Sequence, residues 1–158
     1  MKITVGFPVK IPDMILTGTK DWGRPEHLLQ KSFQVVINHE LLIIPAGYIS
    51  DLGSIPAPAR VFYAPNDPQL VPCYLLHDIA YGAELWPRRY CDKLFLAAMR
   101  YQMVRWSKRM IIYGAVRMFG GLTYPRHTVE SISNIRNLMG LTSGKRPLWE
   151  PGEVMVDK

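Results

Sequence analysis

The chain has 158 residues, 48% of them hydrophobic, and carries a formal net charge of +6. This length predicts one domain with a genuine hydrophobic core and is too short for two. The basic balance, with a pI near 9.4, permits an anionic partner. However, the lysines and arginines are dispersed and lack the aromatic ladder of single-strand binders, so nucleic acid is not expected.

Neither an export signal nor a membrane span is predicted. Met1–Pro8 holds one lysine and reaches a proline before any apolar run of signal-peptide length. No run of about eighteen apolar residues, the length that crosses a bilayer, occurs anywhere in the chain. We therefore expect the protein to be made in the cytoplasm, with any membrane contact at the surface.

The first part of the chain is rich in predicted strands. Residues 1–8 and 11–17 predict short strands broken by prolines. Phe33–Asn38 and Leu41–Ile44 are β-branched runs that predict a hairpin. Two further stretches are rich in turn formers and predict loops, namely residues 18–25 and Pro45–Pro56.

Four helices are predicted after these strands. The first covers about residues 69–83, with Pro72 in its first turn, where a missing N–H costs nothing. The second covers about residues 87–106. The third runs over about residues 108–120, between the N-cap Ser107 and a stop at Gly120-Gly121, and the fourth over about residues 129–139.

The two halves together predict an α+β fold, in which a small antiparallel β-sheet at the front packs on a bundle of three to four helices. Residues 1–141 are expected to form one domain, and residues 142–158, which have no core pattern, a C-terminal arm. The two cysteines, Cys73 and Cys91, would be staggered by roughly 6 Å on neighbouring antiparallel helices. They are therefore predicted to be free, buried thiols.

The chemically distinctive residues are His77 and Asp78 on the first predicted helix. His77 and Tyr81 lie four residues apart and share a helix face. Asp92, from the second helix, is expected to accept the Nδ1 proton of His77, which leaves Nε2 free to abstract a proton from water. This arrangement predicts that His77 is a general base.

Asp78 is turned by about 100° from His77 and is expected to face the Pro45–Pro56 loop, which carries Asp51. The two carboxylates with backbone carbonyls would suit calcium or magnesium. A mixed set that adds His77 and Asp92 would suit zinc or manganese better. The sequence leaves both sets open.

Each of these residues also has a structural interpretation. A helix-buried histidine satisfied by a carboxylate is commonly architectural, Asp51 can close an Asx turn, and Asp92 can interact with the helix dipole. However, all of them lie in otherwise apolar surroundings, where an unpaired charge is costly. Their combination favours a metal or proton-transfer site.

Four segments of the sequence carry a resemblance to a known family, namely Pro45–Pro56, His77–Tyr81, Cys91–Phe95 and Tyr113–Gly120. In these segments the chain resembles an uncharacterised family, a domain of unknown function common in tailed bacteriophages and prophages. The resemblance covers about residues 33–121. It implies a phage or prophage origin and no particular activity.

The pairing of His77-Asp78-x-x-Tyr81 with Asp92 is also similar to the secreted calcium-dependent phospholipases and their relatives in parvovirus capsids. That resemblance implies that His77 is the base, Asp78 a calcium ligand, Tyr81 a supporting hydrogen-bond donor and Asp92 the residue that orients the imidazole. The chain lacks the helix-linking disulfides of those enzymes, and its glycine-containing loop lies farther from the histidine.

These features predict a phage-encoded, metal-assisted hydrolase that acts on phospholipid or cell-envelope bonds, with calcium or zinc held near Asp78 and Asp51. An anionic membrane surface is a predicted partner, although the basic segment from Trp106 is expected to be a core helix with a solvated basic end. The alternative is a non-enzymatic virion or assembly component, in which the polar cluster is structural and the C-terminal arm binds other virion proteins. A third alternative is a basic intracellular module that interferes with a host factor, and only the net positive charge of the chain supports it.

Overall fold

The computed structural model describes residues 3–21, 24–52, 67–123 and 128–141. Within these ranges the chain forms helices and small antiparallel sheets, which confirms the predicted α+β class. The predicted arm, residues 142–158, lies outside the described residues, and so does the predicted loop beyond residue 52. The strands are β1 (Val5–Gly6), β2 (Met14–Asp21), β3 (Arg24–Leu29), β4 (Phe33–Ile37), β5 (Glu40–Ile44) and β6 (Ile49–Ser50).

The described strands form two three-stranded sheets, in place of the single sheet that was predicted. Their orders are β1-β4-β5 and β2-β3-β6, and every pairing is antiparallel. The predicted β4-β5 hairpin is confirmed. Its turn residues Asn38 and His39 both have positive φ, 47° and 73°, as a tight hairpin turn requires.

The predicted loop over residues 18–25 is wrong in most of its length, because β2 and β3 pair there as a second hairpin. The register shifts between Leu16 and Lys20, and Gly18 between them has φ 83°. Gly18 therefore allows an irregularity inside the β2 strand and does not form a loop.

The helices are α1 (Val71–Gly82), α2 (Arg88–Tyr101), α3 (Trp106–Thr123) and α4 (Val129–Leu138). The fourth agrees with the prediction, and its N-cap Thr128 accepts a hydrogen bond from the Ser131 N–H at 3.1 Å. The second ends earlier than predicted, because Met103 adopts φ 58° and turns the chain. None of the described helices combines the length and the hydrophobicity needed to cross a bilayer.

The third helix differs from its prediction at both ends. It begins at Trp106, so Ser107 lies inside the helix and is not its N-cap, and it continues through Gly120-Gly121 to Thr123. Consecutive glycines are tolerated there because the side chain of Arg88 packs against them. The prediction of a helix stop failed because this contact comes from another helix.

Helix α1 lies at the centre of the core and is buried along most of its length. It packs against α2, α4 and β6, while α2 also contacts α3 and β1. Cys73 and Cys91 are free and buried, and their Sγ atoms lie 3.4 Å from the Gln69 carbonyl and 3.3 Å from the Trp86 carbonyl. The core thus surrounds the helix that carries His77 and Asp78.

Candidate functional site

The face of α1 that carries His77 and Tyr81 packs on α2. The two rings lie 4.1 Å apart between centroids, and the imidazole also lies 4.7 Å from the Phe95 ring. Only 11% of the His77 side chain is exposed. The i, i+4 spacing on α1 therefore places the imidazole between two aromatic rings at the edge of the core.

Asp92, on the first turns of α2, is completely buried, with 0% of its surface exposed. Its Oδ1 accepts a hydrogen bond from the Tyr81 hydroxyl and lies 3.5 Å from His77 Nε2. Its Oδ2 accepts a hydrogen bond from Arg117 Nη1 at 2.7 Å and lies 3.8 Å from Arg88 Nε. These five residues, His77, Tyr81, Arg88, Asp92 and Arg117, are termed the Asp92 cluster.

The charges within the Asp92 cluster determine its protonation. Burial alone would raise the pKa of Asp92, but hydrogen bonds from His77, Tyr81 and Arg117 together lower it below its ordinary value. Burial lowers the pKa of His77, and this effect exceeds the opposing attraction of Asp92. Burial, followed by the bond to Asp92, raises the pKa of Tyr81. At neutral pH the cluster therefore holds an ionised carboxylate beside a neutral imidazole and a neutral phenol.

The imidazole orientation differs from the sequence prediction. The nitrogen that faces Asp92 is Nε2, whereas Nδ1 was predicted to do so. If Nε2 carries the proton toward Asp92, Nδ1 is the basic nitrogen.

Arg88 and Arg117 were not identified from the sequence as members of this site. Arg88 precedes Asp92 by four residues on α2, a spacing that was readable as an ion pair. Its Nη2 also donates to the carbonyl of Arg117 at 2.6 Å, which ties α2 to α3. Arg117 lies in the Tyr113–Gly120 motif segment, but the sequence did not indicate its partner, because it reaches Asp92 only through the packing of α3 on α2.

Asp78 belongs to a second group of polar side chains, on the side of α1 that faces β6. Its Oδ2 accepts a hydrogen bond from the Ser50 hydroxyl, and the same Oγ accepts the Leu52 N–H at 3.0 Å. Burial raises the pKa of Tyr48, and the charges of Asp78 and Asp51 raise it further. Tyr48, Ser50, Asp51 and Asp78 are termed the Asp78 cluster.

The predicted site residues are thus distributed over two clusters. His77, Tyr81 and Asp92 converge in one. Asp78 bonds to Ser50 in the other, where its charge and that of Asp51 add to the raised pKa of Tyr48. Sequence reasoning assigned Ser50 to turn formation and did not single out Tyr48. Tyr48 and Ser50 both lie within the predicted Pro45–Pro56 loop. Because Asp78 was expected to face this loop, the polar side chains of the loop could have been identified as candidate partners of Asp78.

The donor atoms of the Asp78 cluster are all oxygens, from two carboxylates and two hydroxyls, and such a set suits a hard cation such as calcium. Over residues 3–21, 24–52, 67–123 and 128–141, no three histidine, cysteine, aspartate or glutamate side chains come together as a metal-binding group. Two carboxylates would therefore need further oxygen ligands to hold an ion.

Comparisons with known proteins identify a family. No curated protein matches the chain, and no solved structure does. The model of one family, described as "Protein of unknown function (DUF1353)", matches residues 28–116. The match contains the whole Asp78 cluster and all of the Asp92 cluster except Arg117. The chain therefore belongs to the DUF1353 family of proteins of unknown function.

Proposed function

We propose that this chain is a phage-encoded, metal-assisted hydrolase in which His77 is the general base. The observation that carries the proposal is the contact between His77 Nε2 and the buried carboxylate of Asp92 at 3.5 Å. Arg117 and Tyr81 keep that carboxylate ionised and fixed in position. A neutral, oriented imidazole is the state from which a base takes a proton from water.

In this proposal, the divalent cation binds at the Asp78 cluster. Asp78 and Asp51 would contribute carboxylate oxygens, and the ion would polarise the bond to be cleaved and supply positive charge for the developing oxyanion. Of the two metals predicted from the sequence, calcium fits this donor set better than zinc. The zinc alternative needs His77 and Asp92 as ligands, and their facing atoms are already engaged with each other.

The proposed substrates are phospholipids or other cell-envelope bonds. This part of the proposal is supported by the resemblance of the His77-Asp78 helix and Asp92 to calcium-dependent phospholipases. The phage origin is supported by the resemblance to a family common in tailed phages. A phage enzyme that cleaves such bonds would act at the envelope of the host cell.

The test is hydrolysis by the purified protein of anionic phospholipid vesicles and of peptidoglycan, measured with added calcium, with added zinc and with a chelator. We expect calcium-dependent release of product that His77→Asn lowers by about 10²- to 10⁴-fold, because a base is lost. His39→Asn, in the β4-β5 turn, is the matched control and should retain full activity. A wild-type protein that binds no metal and hydrolyses neither substrate contradicts the proposal.

A non-enzymatic role as a virion or assembly component is the second candidate. One observation favours it: the buried Asp92 accepts hydrogen bonds from α1 and α3 while lying on α2, which is what a structural fastening of three helices requires. In this case the C-terminal arm would bind a neighbouring virion protein. Detection of the chain in purified particles would favour this role. So would a wild-type protein without hydrolytic activity whose His77→Asn variant is less stable.

A further inference from the structure

The turn between α2 and α3 presents large apolar side chains to solvent. Met103 is 81% exposed and Trp106 is 67% exposed. Tyr101 and Met110, on either side of them, are exposed as well. These four residues, with the intervening basic residues, are termed the α2–α3 tip.

Met103 ends α2 in a left-handed conformation, in which the Val104 N–H donates to the Met99 carbonyl at 3.0 Å. Its φ of 58° is left-handed, a conformation that favours glycine or asparagine at a helix end. An unstrained turn was therefore available to a smaller residue. A methionine at this position, almost fully exposed and next to an exposed tryptophan, adds to an apolar patch of the kind that marks an interaction surface.

The charges that the α2–α3 tip itself carries are all positive. Between Lys93 and Val129 the sequence contains no aspartate or glutamate, whereas its basic residues are Lys93, Arg100, Arg105, Lys108, Arg109, Arg117 and Arg126. Lys108 pairs with Asp67 at 2.5 Å and Arg117 with Asp92, so these two charges are balanced. Arg100 and Arg105 lie exposed beside Tyr101 and Trp106.

We propose that the α2–α3 tip inserts into the surface of an anionic phospholipid bilayer. Tryptophan at the headgroup level, methionine in the acyl boundary and arginines on anionic headgroups are the features of an interfacial membrane contact. Two other partners, a second copy of the chain and nucleic acid, fit the α2–α3 tip less well. A second copy of the tip would bring like charges together, and nucleic acid would leave Met103 without a partner.

This surface does not depend on the proposed hydrolysis, since binding is measured without turnover. The position of the tip agrees with the sequence expectation of a core helix with a solvated basic end. The helix does contribute core residues, including Ile112 and Ala115, but its first turn is exposed with Trp106 outward. The same helix therefore serves both the core and a surface contact.

The test is flotation of the full chain with vesicles of phosphatidylcholine alone and with vesicles of equal parts phosphatidylcholine and phosphatidylglycerol. We expect binding to the anionic vesicles only. Trp106→Ser should weaken it by about tenfold, and Arg105→Gln by about fivefold. Leu16→Ser, at a 64% exposed apolar position on β2, is the matched control and should bind as the wild type does.

Met103→Gly separates membrane binding from folding. Glycine relieves the left-handed backbone, so the thermal midpoint should stay equal or rise while vesicle binding falls severalfold. The proposal is overturned if Trp106→Ser and Met103→Gly bind anionic vesicles as tightly as the wild type. A second copy of the chain is the partner instead if the main effect of Trp106→Ser and Met103→Gly is to dissociate a dimer, and this result also overturns the proposal. Nucleic acid is the partner instead if duplex DNA fully displaces the chain from vesicles and only Arg105→Gln weakens vesicle binding, and this result overturns it as well.

Discussion

At the scale of the residue, Asp92 is the centre of a polar cluster that joins three helices. A fully buried carboxylate is costly unless it is paired, and here arginine, tyrosine and histidine together satisfy it. The lowered pKa of Asp92 means that the folded state binds its proton more weakly than the unfolded chain does. Asp92 therefore contributes stability above its unfolded pKa, and this contribution is lost as the pH falls through the folded value.

Replacing Asp92 by Asn tests this contribution. We expect a loss of about 3 kcal/mol at pH 7, because Arg117 and Arg88 lose their counter-charge. The loss should shrink as the pH falls below about 4, where the carboxylate of the unfolded wild-type chain takes up a proton before that of the folded protein does. Urea unfolding of both proteins between pH 7 and pH 3 provides the measurement.

Asp13→Asn, at the ion pair with Lys31 on the surface, is the control for this series. It should cost no more than about 1 kcal/mol at pH 7. Equal losses for the two variants would show that Asp92 is not the principal buried charge of the fold.

At the scale of the element, α3 shows how a neighbouring helix overrides a local signal. Two consecutive glycines normally end a helix, yet α3 continues through Gly120 and Gly121. A Cβ added at Gly121 would lie 2.9 Å from Arg88 Nη1, so the missing side chain leaves room for the guanidinium. Arg88 in turn donates to the carbonyls of Arg117 and Val116.

Alanine at two glycines of α3 separates helix propensity from this packing. Gly114→Ala meets nothing within 4 Å and should stabilise the protein by about 1 kcal/mol. Gly121→Ala gains the same propensity but displaces Arg88, so we expect it to be less stable than Gly114→Ala by about 1 to 2 kcal/mol. Thermal unfolding of the two variants checks the difference, and equal stabilisation would mean that Arg88 moves at no cost.

At the scale of the whole molecule, α1 joins two polar clusters that face different neighbours. His77 and Tyr81 face α2 and α3, whereas Asp78 faces Ser50 on β6. The hydrolase proposal needs both clusters to act on one substrate, and the structural alternative needs each only to fasten its own elements. Whether the clusters are coupled is therefore a measurable property of the fold.

A double-mutant cycle with Ser50→Ala and Asp92→Asn measures that coupling. Ser50→Ala removes a hydrogen bond to a charged group and should cost about 2 kcal/mol. Because Ser50 donates to Asp78 whereas Asp92 accepts from Tyr81 and Arg117, we expect the losses to add within about 0.5 kcal/mol. A coupling energy above about 1 kcal/mol in urea unfolding would indicate one continuous network.

The sequence by itself determined the α+β class, the β4-β5 hairpin, the approximate positions of the helices and the grouping of His77, Tyr81 and Asp92. These features follow from local periodicity, turn residues and the spacing of neighbouring helices, which act over a few residues. Only the tertiary structure decided that Arg117 pairs with Asp92, that Asp78 turns to Ser50, that α3 passes through its glycines and that Trp106 lies on the surface. Each of these features depends on contacts between side chains that are distant in sequence, and local propensity does not predict such contacts.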